Sequence, residues 1–451
     1  MNNFLFLAIF CVGLWIYILK KTSGEIFSCS ALTAITVAVG VCLLYIQSLV
    51  WHIGILDKTT MLLSLGLFSA AVGDLFAFYL YKRKNVRGKI KCDNIVYWKV
   101  RFLKIICLFY VLATFLYAHE ITKLGQSLGF DDLSAIGEVK ANMKELYMNP
   151  LIKQMYKLVT AGSYIHSLIF ANNVFLAHRK VKKECMHLVP FICTIIITLA
   201  SGGRLNIFKV MVGFLLISYL ILRESSNWRK LYISKIVKIG IPLFLVFVLL
   251  FSAVSLIVKN NASNREKVET FEYISYYAGS PVQVFNLRVA DGRDKWKYER
   301  FGNYTLSGLY DILGFDGDIK STKIGNGMMY LGGNSGKAGN AHTAFCSAYL
   351  DFGTFGMAIF MFLTYFLFGR YYYKNIVTTY SSYLRNKRLL IYVYCYVSVI
   401  VLAFYDGCYY ILLSTTGLLT LLVLLVMYWF YFKKLIVVSQ LKAKNATYRT
   451  L

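Results

Sequence analysis

The sequence predicts an all-α polytopic integral membrane protein of about eleven crossings with one large extracytoplasmic loop. Three observations carry this. The 451 residues are 58% hydrophobic and 16% charged, with a mean hydropathy of +0.56, so a bilayer must solvate most of the chain. Apolar runs of spanning length recur along it. One polar, Gly- and Tyr-rich stretch, 259–344, interrupts them. Any chemistry is expected where this stretch meets the bilayer.

A helix needs about 17–22 residues to cross the hydrocarbon core. Such runs fall at 3–19, 27–47, 60–81, 100–118, 155–177, 186–202, 205–222, 237–258, 345–369, 389–405 and 410–432. The first is followed rather than preceded by Lys20 and Lys21, opposite to a secretory signal, so it should remain as a helix with its N-terminus outside. An odd number of crossings then puts the C-terminus in the cytoplasm. The loops placed inside by this topology hold 30 Lys plus Arg against 4 Asp plus Glu, while 259–344 holds 11 basic and 9 acidic residues. That is the excess expected of cytoplasmic loops. The net charge of +27 therefore reports orientation in a membrane, not nucleic-acid binding. The expected division is 1–258 with eight helices and an outer loop at 119–154, the large loop 259–344, three helices in 345–432, and a basic cytoplasmic tail, 433–451.

Within the outer loop 119–154, Leu133, Ile136, Val139, Met143 and Leu146 stand near helical spacing behind Asp131, Asp132 or Ser134 as a cap. This predicts an amphipathic helix lying on the outer leaflet. The large loop opens with Val268, Phe271, Ile274 and Tyr277, a helical pattern expected to break at Ala278-Gly279-Ser280-Pro281 and resume over Val282 to Val289. From Gly302 to Gly339 periodicity is lost. The ten Cys fall mostly in apolar runs without a Cys-x-x-Cys pair, so neither a disulfide nor a metal site is expected.

Charged groups at membrane depth are costly and each needs a reason. Ser201-Gly202-Gly203-Arg204 forms a hairpin tip where glycines expose backbone N–H groups and a guanidinium could grip a phosphate, with Lys209 following in the next helix. The plain alternative is an arginine snorkelling to headgroups. Asn340-Ala341-His342-Thr343-Ala344-Phe345 begins the re-entry into the membrane, followed by Tyr349-Leu350-Asp351-Phe352-Gly353 and Gly356. His342 there could serve as a base or donor, or be a solvated histidine, with Asn340 or Thr343 as a helix cap. Asp351 is partly immersed, and Gly353 with Gly356 forms a small face for close helix approach. Arg265, Arg288, Arg293 and Arg300 are phosphate or sugar candidates or solvated charges. Arg288 stands out because it follows Val284, Phe285 and Leu287. Asp74 and His166 either hold helices together or line a cavity, and Asp406 is read as interfacial.

These residues resemble a family. A Gly-Gly-Arg hairpin tip, one large outer loop before the last helices, and the re-entry Asn340-x-x-Thr343-x-Phe345…Tyr349-x-Asp351-Phe352-Gly353-x-x-Gly356 look like the O-antigen polymerases, which join oligosaccharide repeat units. Tyr276-Tyr277-Ala278-Gly279-Ser280-Pro281-Val282 resembles the loop-helix break of that family. His342-Thr343 and Gly353-x-x-Gly356 also resemble the O-antigen ligase motif. The resemblance spans about 190–370, with only hydropathy matching before it. It implies a glycan donor and acceptor carried on undecaprenyl pyrophosphate at the outer face, membrane lipids as surroundings, and a chain-length regulator as a further partner. It implies no cofactor, and no convincing metal pair stands in the outer loops, Asp316-Gly317-Asp318 being the nearest. Arg204, His342 and Asp351 are the implied catalytic residues. Arg288, Arg265, Lys209, Asn340, Thr343 and Tyr277 are the implied substrate contacts. The readings to separate are polymerase, ligase, and a flippase or transporter of lipid-linked saccharide.

Overall fold

Where no water can satisfy the backbone, an apolar chain closes its own hydrogen bonds and becomes helical. A computed structural model describes residues 2–82, 94–97, 100–130, 136, 139, 146–226, 228, 230–259, 270–292, 301–315, 329–333, 338–339, 341–377, 383–405, 409–432 and 437–440. Among these, nine helices are long and apolar enough to cross a membrane, which makes this an all-α polytopic membrane protein. The chain folds as two units. The first comprises 1–86, 267–378 and 394–418, and the second comprises 87–266, 379–393 and 419–451.

The first unit is built from α1 (Asn3–Lys21), α2 (Cys29–Trp51) and α3 (Asp57–Lys82). The second contributes the next elements: α4 (Val100–Ser127), α5 (Pro150–Ala171), α6 (Val189–Ala200), α7 (Arg204–Ser225) and α8 (Ile233–Lys259). The chain then returns to the first unit for α9 (Thr270–Asp291) and α10 (Ala344–Tyr372). α11 (Tyr383–Val399) and α12 (Thr415–Phe430) are divided between the units. Two of the eleven expected crossings fall outside the nine. α5 is long enough but less apolar, and α12 is apolar but has only 16 residues. Short antiparallel ladders join β1 (Asn94–Tyr97) to β4 (Val437–Gln440), and β2 (Met329–Tyr330) to β3 (Ala338–Gly339).

Small residues let the helices of the first unit touch. α3 and α10 pack along much of their length. A methyl group at Gly73 would overlap the Phe362 carbonyl, and one at Gly66 would lie 2.5 Å from the Phe345 ring. Gly353 sits inside α10 with φ 71° and ψ −171°, a kink that L side chains resist. One sequence expectation is corrected here. α9 does not break at Gly279-Ser280-Pro281 but runs through Pro281 as one helix. The reason is packing, because Gly40 of α2 faces the Ala278 carbonyl and Gly279 faces the backbone of Leu44. That close seating outweighs the one hydrogen bond a proline removes.

The core of the second unit gathers Tyr110, Tyr117, Val159, Cys193 and Ile197, and a second cluster gathers Phe170, Phe191 and Phe214. Val139, 1% exposed, packs into the first of these, and Ile136 and Leu146 pack against it. The segment expected to lie on the leaflet therefore turns Val139 into protein. His166 belongs to a buried polar network. Its Nδ1 is 3.0 Å from His187 Nδ1, and Glu184 accepts from Asn173 at 2.8 Å and pairs with Arg179 at 2.6 Å. Arg385 and Glu224 form a buried ion pair at 2.7 Å.

Candidate functional site

Polar side chains concentrate at one end of the first unit, where α9, the 301–312 segment and the start of α10 meet. α9 is fixed there by two amides that replace each other's solvent. Asn286 accepts from Leu56 N and from Thr59 Oγ1, each at 2.9 Å, and donates to the Gly54 carbonyl at 2.9 Å. Gln283 donates to the Leu331 carbonyl at 2.9 Å. These bonds set the rotation of the helix, so the next turn carries Arg288 inward. The guanidinium is wholly buried, 0% exposed. Burial pulls its pKa down from the usual arginine value, and nearby Cys346, Tyr304 and Asp291 oppose that pull.

The start of α10 lies within the same unit. Thr343 occupies the N-cap position with extended backbone and makes no side-chain cap bond. Its Oγ1 is buried with no hydrogen-bond partner among the described residues. His342 is 6% exposed, and its Nε2 lies 3.1 Å from Ser347 Oγ one turn into the helix. Of the two alternatives posed by the sequence, a solvated histidine is ruled out by this burial.

Asp351 reaches from α10 to the large loop. Its carboxylate accepts from Tyr304 N at 3.0 Å and from Thr305 N and Thr305 Oγ1, both at 2.8 Å. It thus pins a turn of the large loop to α10, two residues before the Gly353 kink. Phe301 and Phe352, with ring centroids 4.9 Å apart, close the same joint. Tyr304 is buried beside it, and burial, aided by the Asp351 charge, pushes its pKa up to about 12. Tyr304 and Thr305 escaped sequence reading. They stand in a Gly-rich run without periodicity, 46 or 47 residues from their partner.

The remaining expected residues fall elsewhere. Tyr277 lies half-buried on α9, two turns or more before Arg288. Arg265 and Asn340 lie outside the described residues, as do Arg293, Arg300, Asp316, Asp318 and Asp406. Arg204 and Lys209 belong to the second unit. There Gly202, with φ 64°, and Gly203 form the expected tight turn, Arg204 opens α7, and Lys209 is 8% exposed. The Arg204 side chain is outside the described parts. Asn206, not singled out by the sequence, donates to Tyr156 Oη at 2.9 Å and so ties the turn to α5. No family model, no curated protein and no solved structure matches the chain.

Proposed function

We propose that the protein polymerises oligosaccharide repeat units carried on undecaprenyl pyrophosphate, at the outer face of the cytoplasmic membrane. The observation that carries this reading is the wholly buried Arg288 guanidinium, in one end of one unit with His342, Thr343 and a loop anchored by Asp351. A cation withdrawn from water beside polar groups suits an anionic leaving group, whose developing charge a preorganised donor stabilises. The motif resemblance supplies the substrate class, and the basic-loop asymmetry supplies the orientation, with the N-terminus outside and the tail inside.

In the proposed step the acceptor hydroxyl oxygen bonds to the anomeric carbon of the donor glycan. The bond from that carbon to the diphosphate oxygen breaks, and its electron pair leaves with the lipid diphosphate. The hydroxyl proton passes to His342. Arg288 receives the diphosphate charge, while Thr343 Oγ1 orients a sugar hydroxyl. Asp351 acts as a positioning residue that holds the Tyr304–Thr305 turn.

The test is the surface-polysaccharide profile of a deletion strain complemented with wild type, Arg204→Ala, Arg288→Ala and Arg288→Lys. The expected result is a ladder restored by wild type and collapsed to a single repeat unit by both alanine variants. Lysine at 288 should recover little, because a point charge does not reproduce a planar, bidentate donor. Attached glycan lost while lipid-linked polymer accumulates would make it a ligase. Repeat units trapped on the inner face would make it a flippase, and an unchanged ladder would refute every transferase reading.

A further inference from the structure

Within the first unit, the loop segment 301–315 is inside out for a stretch bathed in water. Every residue it exposes is apolar or glycine: Phe301, Ile312, Leu313, Gly314 and Phe315, with Phe301 75% and Leu313 63% exposed. Its polar residues Asn303, Tyr304, Thr305 and Ser307 are instead buried. Asp311, its one charged residue, is half-buried, and the segment contains no Lys or Arg. Water-facing loops show the opposite arrangement, so a clustered exception marks a surface that something apolar covers.

The segment also meets the demand that lipid makes on a backbone, which must find its hydrogen bonds within the protein. Leu306 N donates to the Gly302 carbonyl at 2.7 Å and Leu309 N to the Leu306 carbonyl at 2.9 Å. Leu313 N donates to the Leu309 carbonyl and Phe315 N to the Tyr310 carbonyl, both at 3.1 Å. The N–H groups of Tyr304 and Thr305 go to Asp351. Tyr310 Oη donates to the Phe301 carbonyl at 2.6 Å, and its ring centroid is 6.3 Å from that of Phe315. Both ends of the apolar surface thus meet at one side chain.

The neighbouring helix says what the cover is. From Ala344 to Asp351, before the Gly353 kink, α10 is buried throughout. After the kink Phe355, 83% exposed, is followed by exposed Ile359, Leu363 and Leu367 at helical spacing, in a helix apolar enough to cross a membrane. The kink therefore marks where α10 enters lipid. Ring contacts carry this region to the loop: Phe352 lies 5.4 Å from Phe360 and 4.9 Å from Phe301, centroid to centroid. The short helix Ser307–Ile312 packs on Tyr409–Leu412, and the Tyr409 ring is 5.2 Å from Phe360. We propose that 301–315 lies in the plane of the membrane, with Phe301, Ile312, Leu313 and Phe315 sunk among the acyl chains of the leaflet at this end of α10. In the topology proposed above that is the outer leaflet. A glycan would call for exposed polar side chains, and here those are the buried ones. Asp351 then joins a spanning helix to a surface-lying segment, as interfacial anchors do. The inference needs only that α10 crosses a bilayer, and it stands apart from glycan transfer.

The experiment photolabels the full chain in vesicles of phosphatidylethanolamine and phosphatidylglycerol that carry a trace of phospholipid with a diazirine on one acyl chain. Trypsin cuts after Arg300, Lys320, Lys337 and Arg370, which separates 301–320 from 338–370 with its lipid-facing α10 residues. Both peptides should carry lipid adducts, those in 301–320 falling on Phe301 and 312–315 and not on 303–307. Adducts on 338–370 alone would overturn the proposal. A nitroxide at Leu313→Cys, in a background with the other cysteines removed, gives a second reading. Its collisions with oxygen, relative to those with a water-soluble nickel complex, should rise above the value at Lys183→Cys, on an exposed basic segment, toward that at Leu363→Cys. A ratio equal to that at Lys183→Cys would place the segment in water. Dipolar broadening between labels would seat a second copy of the chain on it. Either result overturns the lipid assignment. If the cysteine-free chain fails to fold, photolabelling of the native protein decides the matter. Neither readout depends on glycan transfer.

Discussion

Asp351 shows how a residue's partners define its work. The resemblance counts it among the catalytic residues, and its two oxygens are engaged by the Tyr304 and Thr305 backbone and by the Thr305 hydroxyl. Hydrogen bonds to a charged acceptor are worth roughly 1.5–3 kcal/mol each. Thr305→Val removes one of them and should lower stability by about that amount. Asp351→Asn should cost more, because its amide nitrogen must then face a backbone donor. Thermal unfolding of the purified variants checks both, and the double variant should be less than additive because the partners touch. A catalytic base would behave differently: Asp351→Asn would abolish transfer while leaving the melting temperature unchanged. Arg288 was legible because it followed Val284, Phe285 and Leu287 on a face bound to dock, and the helix does bury it. Thr305 was not legible, because a contact between a Gly-rich turn and a helix 46 residues later leaves no periodic trace.

Among the elements, long apolar helices were readable from length and hydropathy alone, and nine of them stand where the runs predicted. Their local irregularities were not. A Gly-Ser-Pro triplet ordinarily ends a helix, but α9 continues because α2 offers Gly40 opposite the Ala278 carbonyl. The fit to a distant helix decides this, and a local rule cannot contain it. The converse holds in α10, where Gly353 takes φ 71° in the middle of an apolar run. Only glycine adopts that geometry without strain, so Gly353→Ala should destabilise by about 1–2 kcal/mol. It should also disturb Asp351, two residues earlier, and loosen the loop. Gly13 gives the control: a methyl there meets nothing within 4 Å in the middle of α1, so Gly13→Ala should stabilise by about 0.5–1 kcal/mol. Melting temperatures of the two variants should move in opposite directions. A drop in both would mean that α1 packs against something through Gly13.

At the scale of the whole molecule the open quantity is how many helices cross, and α5 decides the side on which every loop from Arg179 onward begins. Its composition falls short of the nine, since Lys153, Lys157 and His166 interrupt its apolar face. Yet Val159, Ala161, Ile165, Leu168 and Ile169 are buried at 1% or less, so within the second unit this helix is sheathed by its neighbours. A helix shielded in this way needs less hydropathy of its own, because protein rather than lipid surrounds its polar groups. If α5 crosses, the segment with Arg179, Lys180, Lys182 and Lys183 lies inside, as the basic-loop rule demands. If it does not, four basic residues stand on the wrong face, together with every later loop. Two positions separate these outcomes. Cys185 is exposed just after that basic segment, and Tyr147 is 80% exposed just before α5. In a background with the other cysteines removed, a membrane-impermeant maleimide should label Tyr147→Cys in intact spheroplasts, whereas Cys185 should react only after permeabilisation. Labelling of both in intact spheroplasts would mean that α5 does not cross. The odd-numbered topology, and with it the outward placement of the large loop, would then fall.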